Sequence, residues 1–251
     1  MPKLIILRRG GLGDLIMAFP TIIEGYRMYG EPVGLACYEK YFDLYRDCPH
    51  VCTLIPVPYE PKSLCNLSAL MPSQAKVWVL ERDSEVVSLL RRMLRGYDVR
   101  FLSAKIGHET RGIASARLRH RVHCFLDVVP DNPRPNNINR PDIGWLRMSS
   151  CLQFEKLSSD ARYIGIVAGG GFNPGKPVEL KRWPMCYFNL LATSLFEKGF
   201  QPIFLGGDGD NWISSSPDFP DIAIDCVDKL DLREMAVVMT RWELVLGNDS
   251  G

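Results

Sequence analysis

The stretch that most limits what this chain can become is its first turn. Lys3-Leu4-Ile5-Ile6-Leu7-Arg8 runs straight into Arg9-Gly10-Gly11-Leu12-Gly13-Asp14. A short, continuous apolar run bounded by glycines reads as a buried strand. Three glycines between positions 10 and 13 let the backbone turn tightly and come close to another group. Residues 15–23 then open a helix. Strand, glycine-rich turn and helix in that order start a βαβ unit, which commits the chain to a parallel sheet covered by helices. Ligands of open α/β sheets bind beyond the carboxyl ends of the strands. Asp14 stands at such an end, where the helix N–H groups and positive dipole end also point. It reads either as a helix cap or as a working carboxylate.

The alternation continues. Residues 32–38, 51–57, 76–80 and 98–102 are apolar runs of strand length. Residues 39–46 suit a short helix and a Pro-rich loop runs on to about Ser73. Residues 84–95 form an amphipathic helix, with Val86, Val87, Leu90 and Leu94 on one face. Further on, Pro130, Pro133, Pro135 and Pro141 mingle with Asn132, Asn136, Asn137 and Asn139, the clearest linker in the chain. The pattern then restarts. Residues 163–168 form a strand running into Gly169-Gly170-Gly171. A helix over 184–198 has Pro184 in its first turn and Gly199 as its stop. Residues 201–205 form a strand ending in Gly206-Gly207-Asp208-Gly209-Asp210, and 222–225 another. A helix over 231–240 sets Leu232, Met235, Ala236 and Met239 on one face. A last strand, 244–246, ends in Gly247-Asn248-Asp249-Ser250-Gly251.

A length of 251 residues suits two domains of ordinary size, drawn here as 1–150 and 151–251. The fold class is α/β, with two Rossmann-like, doubly wound parallel sheets. The halves differ in kind, for residues 1–150 carry a net charge of +6 and residues 151–251 one of −5. The first half is thereby suited to an anionic partner, although a bias of this size also serves solubility alone. The ten Lys and Arg residues from Arg82 to Arg121, with Arg119 and Arg121 at the end, are either a solvated face or a binder of phosphate and carboxylate groups. No aromatics interleave over 111–121, which argues against a nucleic-acid partner.

Several classes drop out. No run approaches the roughly 20 apolar residues of a membrane span, and no leader peptide is visible, so a cytoplasmic location is expected. The eight cysteines form no Cys-x-x-Cys pair and read as reduced, mostly buried thiols. Residues 170–177 nearly spell a P-loop, but Pro177 stands where a magnesium-binding hydroxyl belongs. Asp208 and Asp210 read as a turn before they read as a metal pair. Neither glycine-rich turn has full dinucleotide-binding spacing, and no Gly-x-Ser-x-Gly elbow occurs.

Four stretches in register resemble the heptosyltransferases, glycosyltransferase family 9. They are residues 4–15; Gly169-Gly170-Gly171 with Lys181-Arg182-Trp183-Pro184; residues 204–210; and residues 231–236 with 245–251. The resemblance implies GT-B architecture, two Rossmann-like domains facing across a cleft. It implies a metal-independent, inverting transfer of a heptose or similar sugar, with no cofactor. The donor would be an ADP-sugar. The acceptor would be an anionic glycolipid of the lipopolysaccharide inner core, with peripheral contact at the inner membrane. Asp14 matches the family's general base. Lys181 matches the lysine facing the donor diphosphate, and Asp249, Ser250 and Gly251 match the turn that holds it. Gly170, Met235 and Asp210 fall on the donor side, Met235 beside the adenine and Asp210 at the ribose. Gly11, Gly13, Arg119 and Arg121 fall on the acceptor side. The family continues beyond Asn-Asp-Ser-Gly, so the second domain is expected to be incomplete here. A nucleotide-sugar-binding or regulatory module and a Rossmann oxidoreductase are the alternative readings.

Overall fold

The computed structural model describes residues 1–102, 121–130, 145, 157–169 and 182–248. The chain divides into two compact units, Met1–Trp145 and Leu146–Gly251.

The first unit is built on five parallel strands: β1 Leu4–Leu7, β2 Val33–Cys37, β3 Val51–Pro56, β4 Lys76–Val79 and β5 Val99–Phe101. They lie in the order β3-β2-β1-β4-β5, so the chain grows outward from β1 on one side and then crosses to the other. All of β1 and β2 is buried, as strands covered on both faces must be. One core cluster packs Ile5, Leu7, Val77 and Val79 of the sheet against Val86, Leu90 and Leu94. The last three belong to or directly follow α5 (Ser84–Met93), whose N-cap Asp83 accepts from the N–H groups of Glu85 and Val86.

Two readings of this unit need correction. The helix after the first turn is two helices, α1 Leu12–Met17 and α2 Phe19–Tyr29. Pro20, at the second position of α2, has no N–H to carry the first helix through. The Pro-rich loop also holds structure, a 3₁₀ turn over Pro61–Asn66 and α4 Leu67–Leu70. Leu64 and Leu67 are buried there, and the Tyr97 hydroxyl donates to the carbonyls of Ser68 at 3.0 Å and Met71 at 3.2 Å. Burial and Tyr97 together organise what composition alone marks as loop. Between β2 and β3 lie a 3₁₀ turn and α3 Phe42–Tyr45, and α6 spans Arg121–Leu126.

The second unit repeats the plan with β6 Arg162–Val167, β7 Phe200–Gly206, β8 Ile224–Val227 and β9 Trp242–Gly247. All pair in parallel, in the order β8-β7-β6-β9. Helix α7, Met185–Glu197, starts after Pro184. It stops before Gly199, whose φ of 83° only glycine adopts cheaply. Strand β8 begins two residues later than its sequence pattern suggests. Helix α8, Leu232–Met239, buries Val237 and Val238 and leaves Met239 exposed, so the expected face of Leu232, Met235, Ala236 and Met239 is rotated. Its phase is fixed by a capping box between Asp231 and Glu234 and by buried Leu230, which shares a face with Val237 one heptad on. On β9, Leu244 and Val245 are exposed.

Four cysteines are buried, at 37, 48, 124 and 226, while Cys52 and Cys186 are exposed. Burial pushes the Cys37 thiol up to about 12 and Cys48 up to about 11, so both stay protonated and inert.

Gly165 on β6 is where β9 leans on the sheet. A Cβ there would lie 2.1 Å from the indole of Trp242. Overpacking of this kind costs about 1–3 kcal/mol. Gly165→Ala is therefore expected to lower the melting temperature, by roughly 2–4 °C for each kcal/mol. Scanning fluorimetry on Gly165→Ala with Trp242→Leu, against Trp242→Leu alone, should find most of that loss gone.

Candidate functional site

In each unit the strand order reverses beside its first strand, between β1 and β4 and between β6 and β9. A crevice at the carboxyl ends opens at such a point. In the first unit it holds three charged side chains. Arg8 follows β1, Glu81 stands two residues beyond β4, and Asp14 is the third residue of α1. Leu7 pairs with Val79, so register alone brings Arg8 and Glu81 together.

Arg8 is the centre. Its guanidinium donates to Asp14 Oδ2 at 2.6 Å, to the Leu80 carbonyl at 2.8 Å and to Glu81 Oε1 at 3.4 Å. It also lies over the Phe125 ring of α6, 5.1 Å from the centroid. Arg8 is 5% exposed and Glu81 8%. Charges so deep require partners, and here one cation serves two anions. Glu81 is held further by the N–H groups of Arg82 at 2.8 Å and Asp83 at 3.2 Å. The Asp14 side chain keeps 17% exposure, enough to meet a ligand at the sheet's edge.

Asp14 is not the cap. The N-cap position of α1 is Gly11, which offers no side-chain bond, and the Asp14 carboxylate turns to Arg8. The glycines also divide their work differently than expected. A Cβ on Gly10 would stand 2.8 Å from Asp14 Oδ2 and 2.9 Å from the Arg8 guanidinium. Gly10, absent from the sequence-derived site, is thus the residue that leaves room for the ion pair. A Cβ on Gly11 would meet nothing within 4 Å, which leaves that face of the turn open to a ligand. Gly13 lies inside α1.

In the second unit the crevice is closed by Asn248. Its amide donates to the Ala168 carbonyl at 2.6 Å, and its side-chain oxygen accepts from the Trp183 N–H at 3.3 Å. One residue thus ties the tip of β6, the tip of β9 and the approach to α7. Gly247 allows this closeness, since a Cβ there would sit 2.9 Å from the Val167 carbonyl oxygen. Asp210 ends a 3₁₀ turn after β7. Its carboxylate accepts from the Gly207 N–H at 3.2 Å, and a Cβ on Gly169 would fall 2.2 Å from it. Asp210 therefore lies against the tips of both β6 and β7. Met235 is half-buried on α8 and packs on the core cluster of Tyr163, Ile203 and Leu205. Lys181, Gly170, Asp249, Ser250, Gly251 and Arg119 lie outside the described residues, as does the side chain of Arg121 at the start of α6.

Arg8, Gly10, Glu81 and Asn248 are members of these sites that sequence reasoning did not single out. Asn248 sits in a recognised stretch, and buried arginines leave no local pattern.

Residues 148–251 match the family described as glycosyltransferase family 9 (heptosyltransferase). No curated protein sequence matches the chain. Solved structures share its fold at low identity. The glycosyl transferase family 9 protein of Veillonella parvula DSM 2008 is 17% identical with a TM-score of 0.72, over 99% of this chain and 75% of that one. The E. coli heptosyltransferase WaaC, solved with ADP, is 14% identical with a TM-score of 0.68, over 98% of this chain and 81% of that one. The E. coli ADP-heptose LPS heptosyltransferase II is 18% identical with a TM-score of 0.59, over 99% of this chain and 79% of that one. The fold is that of the GT-B glycosyltransferases, two parallel-sheet α/β units joined in one chain. Residues 148–251 thus carry the glycosyltransferase family 9 (heptosyltransferase) pattern, within a chain whose fold is that of these enzymes.

Proposed function

We propose that this chain is a glycosyltransferase that moves a heptose or similar sugar from an ADP-sugar to an anionic acceptor of the lipopolysaccharide-core type, inverting the anomeric centre. The first domain, about 1–150, takes the acceptor and the second, 151–251, the donor. Asp14 accepts the proton of the acceptor hydroxyl as that oxygen attacks the anomeric carbon. The bond from that carbon to the diphosphate breaks, and ADP leaves with the electron pair. Lys181 offsets the charge gathering on the diphosphate. Gly170 and the turn of Asp249, Ser250 and Gly251 hold it, on a strand tip that Asn248 fixes. Met235 lies beside the adenine and Asp210 at the ribose. Gly11, Gly13, Arg119 and Arg121 line the acceptor side. Work on a lipid-linked acceptor suits a cytoplasmic enzyme in peripheral contact with the inner membrane. Among the described residues no helix is long and apolar enough to cross one.

The observation that carries the reading is the Arg8–Asp14 pair, 2.6 Å across, at the carboxyl edge of β1. The heptosyltransferase match in the second half and the relative solved with ADP support the donor. Calorimetry with ADP, ADP-heptose and NADH tests it. ADP-heptose is expected to bind, ADP to compete, and NADH to do neither. Tight NADH binding with no response to ADP overturns the proposal.

A further inference from the structure

Beside the first crevice lies a cluster of aromatic and basic side chains. Tyr38 follows β2, and Tyr59 stands three residues past β3. Their rings stack, with centroids 4.1 Å apart and planes 12° from parallel. Tyr38 is buried, while Tyr59 is 46% exposed. An exposed tyrosine is thus stiffened by a buried one. The Lys40 ammonium lies 5.0 Å from the centroid of Tyr41 and 5.4 Å from that of Tyr59. Beneath them Arg9, 7% exposed, donates to the Tyr59 carbonyl at 2.6 Å.

Two features call for a ligand. Arg9 is a buried cation whose Nε has no hydrogen-bond partner, and among the described residues no carboxylate pairs with it or with Lys40. Buried charges are otherwise matched, as Arg8 is next door. The position is also telling. The Arg8 N–H donates to Ala36 and the Val57 N–H to Cys37, so the tips of β1, β2 and β3 stand level. Neighbouring strands are about 5 Å apart, which puts the tyrosine pair roughly one sugar ring from the turn that carries Asp14. Arg9 joins that turn to Tyr59 covalently on one side and by hydrogen bond on the other.

We propose that Tyr59, backed by Tyr38, is a stacking platform for an acidic sugar ring, whose carboxylate or phosphate pairs with Lys40 in the field of Arg9. Sugar C–H faces pack on aromatic rings, and an anion supplies the missing countercharge. The site then selects acceptors by the acid they carry, next to the base. Only the word acceptor rests on the glycosyl-transfer reading. The binding site stands on the geometry of the first unit.

Saturation-transfer NMR with β-glucuronosyl and β-glucosyl disaccharides, at low and at 0.5 M salt, tests it on the intact chain. The acidic probe is expected to bind about five-fold more tightly at low salt, with the gap closing at high salt. Lys40→Gln should remove the gap while leaving neutral-probe binding unchanged. Tyr59→Ala should weaken both probes about ten-fold, and Tyr59→Phe neither. Lys40 is exposed, so its variant keeps the proposal testable even where Tyr59→Ala fails to fold. Equal binding of both probes by the wild type, or wild-type discrimination by Lys40→Gln, overturns the proposal. Loss of ADP-heptose binding with these results intact would instead overturn the donor reading and spare this one.

Discussion

Asp14→Asn is expected to lower turnover by about 10²–10⁴-fold, the share a positioned general base supplies. ADP-heptose affinity should stay within about two-fold, because no donor-side role attaches to this residue. Asn is close in shape to Asp, and its side-chain oxygen can still accept from Arg8, which now donates at 2.6 Å. The variant therefore removes basicity while leaving the guanidinium a partner. Release of ADP in single turnovers measures the chemical step, calorimetry the donor, and a melting curve shows that the fold survives. An Asn variant with wild-type turnover removes Asp14 as the base. A parallel fall in donor affinity would move its role from proton transfer to positioning. Asp14→Ala is the less informative change. It leaves Arg8 with Glu81 and the Leu80 carbonyl only, so it mixes loss of chemistry with loss of structure.

The sheets are legible in the sequence because parallel strands buried on both faces read as unbroken apolar runs. Leu4–Leu7 and Val33–Cys37 are such runs, and both are wholly buried. Legibility fails where distant pairing decides. Arg8 and Glu81 read as surface charges one at a time, and only the register that sets Leu7 beside Val79 makes them neighbours. Gly165 reads as an ordinary strand residue until β9 lays Trp242 over it. In α8 the apolar spacing fits two faces, and the choice falls to Leu230 and to the core that receives Val237 and Val238. Asp14 is legible as a carboxylate at a strand end, but its partner is not. A cap and an ion pair are equally compatible with a carboxylate in the first turn of a helix. The Gly10 side of the turn, with Oδ2 2.8 Å from where a Cβ would stand, decides for the ion pair.

Arg8→Met should be the most damaging single change in the first unit, and its effects should separate into two. Asp14 and Glu81 would lose the cation they share while staying largely shielded, at 17% and 9% side-chain exposure. Removing one partner of a buried ion pair costs about 3–5 kcal/mol, which in a chain of this size is a fall of roughly 6–20 °C in melting temperature. The second effect is on rate, since the hydrogen bond that orients the Asp14 carboxylate goes with the guanidinium. Arg8→Lys keeps a charge but cannot fork to Asp14, Leu80 and Glu81 at once, so it should restore most of the stability and only part of the rate. Adding Glu81→Gln to Arg8→Met removes the second carboxylate. Stability should recover in that double variant, while the rate stays low because Asp14 still lacks its donor. If Arg8→Met lowers the melting temperature and leaves the rate alone, Arg8 is a strut of the fold. If the rate of the folded variant falls and the double variant does not restore it, the same guanidinium positions the base, and the turn at residues 8–14 is the part of the first unit on which transfer depends.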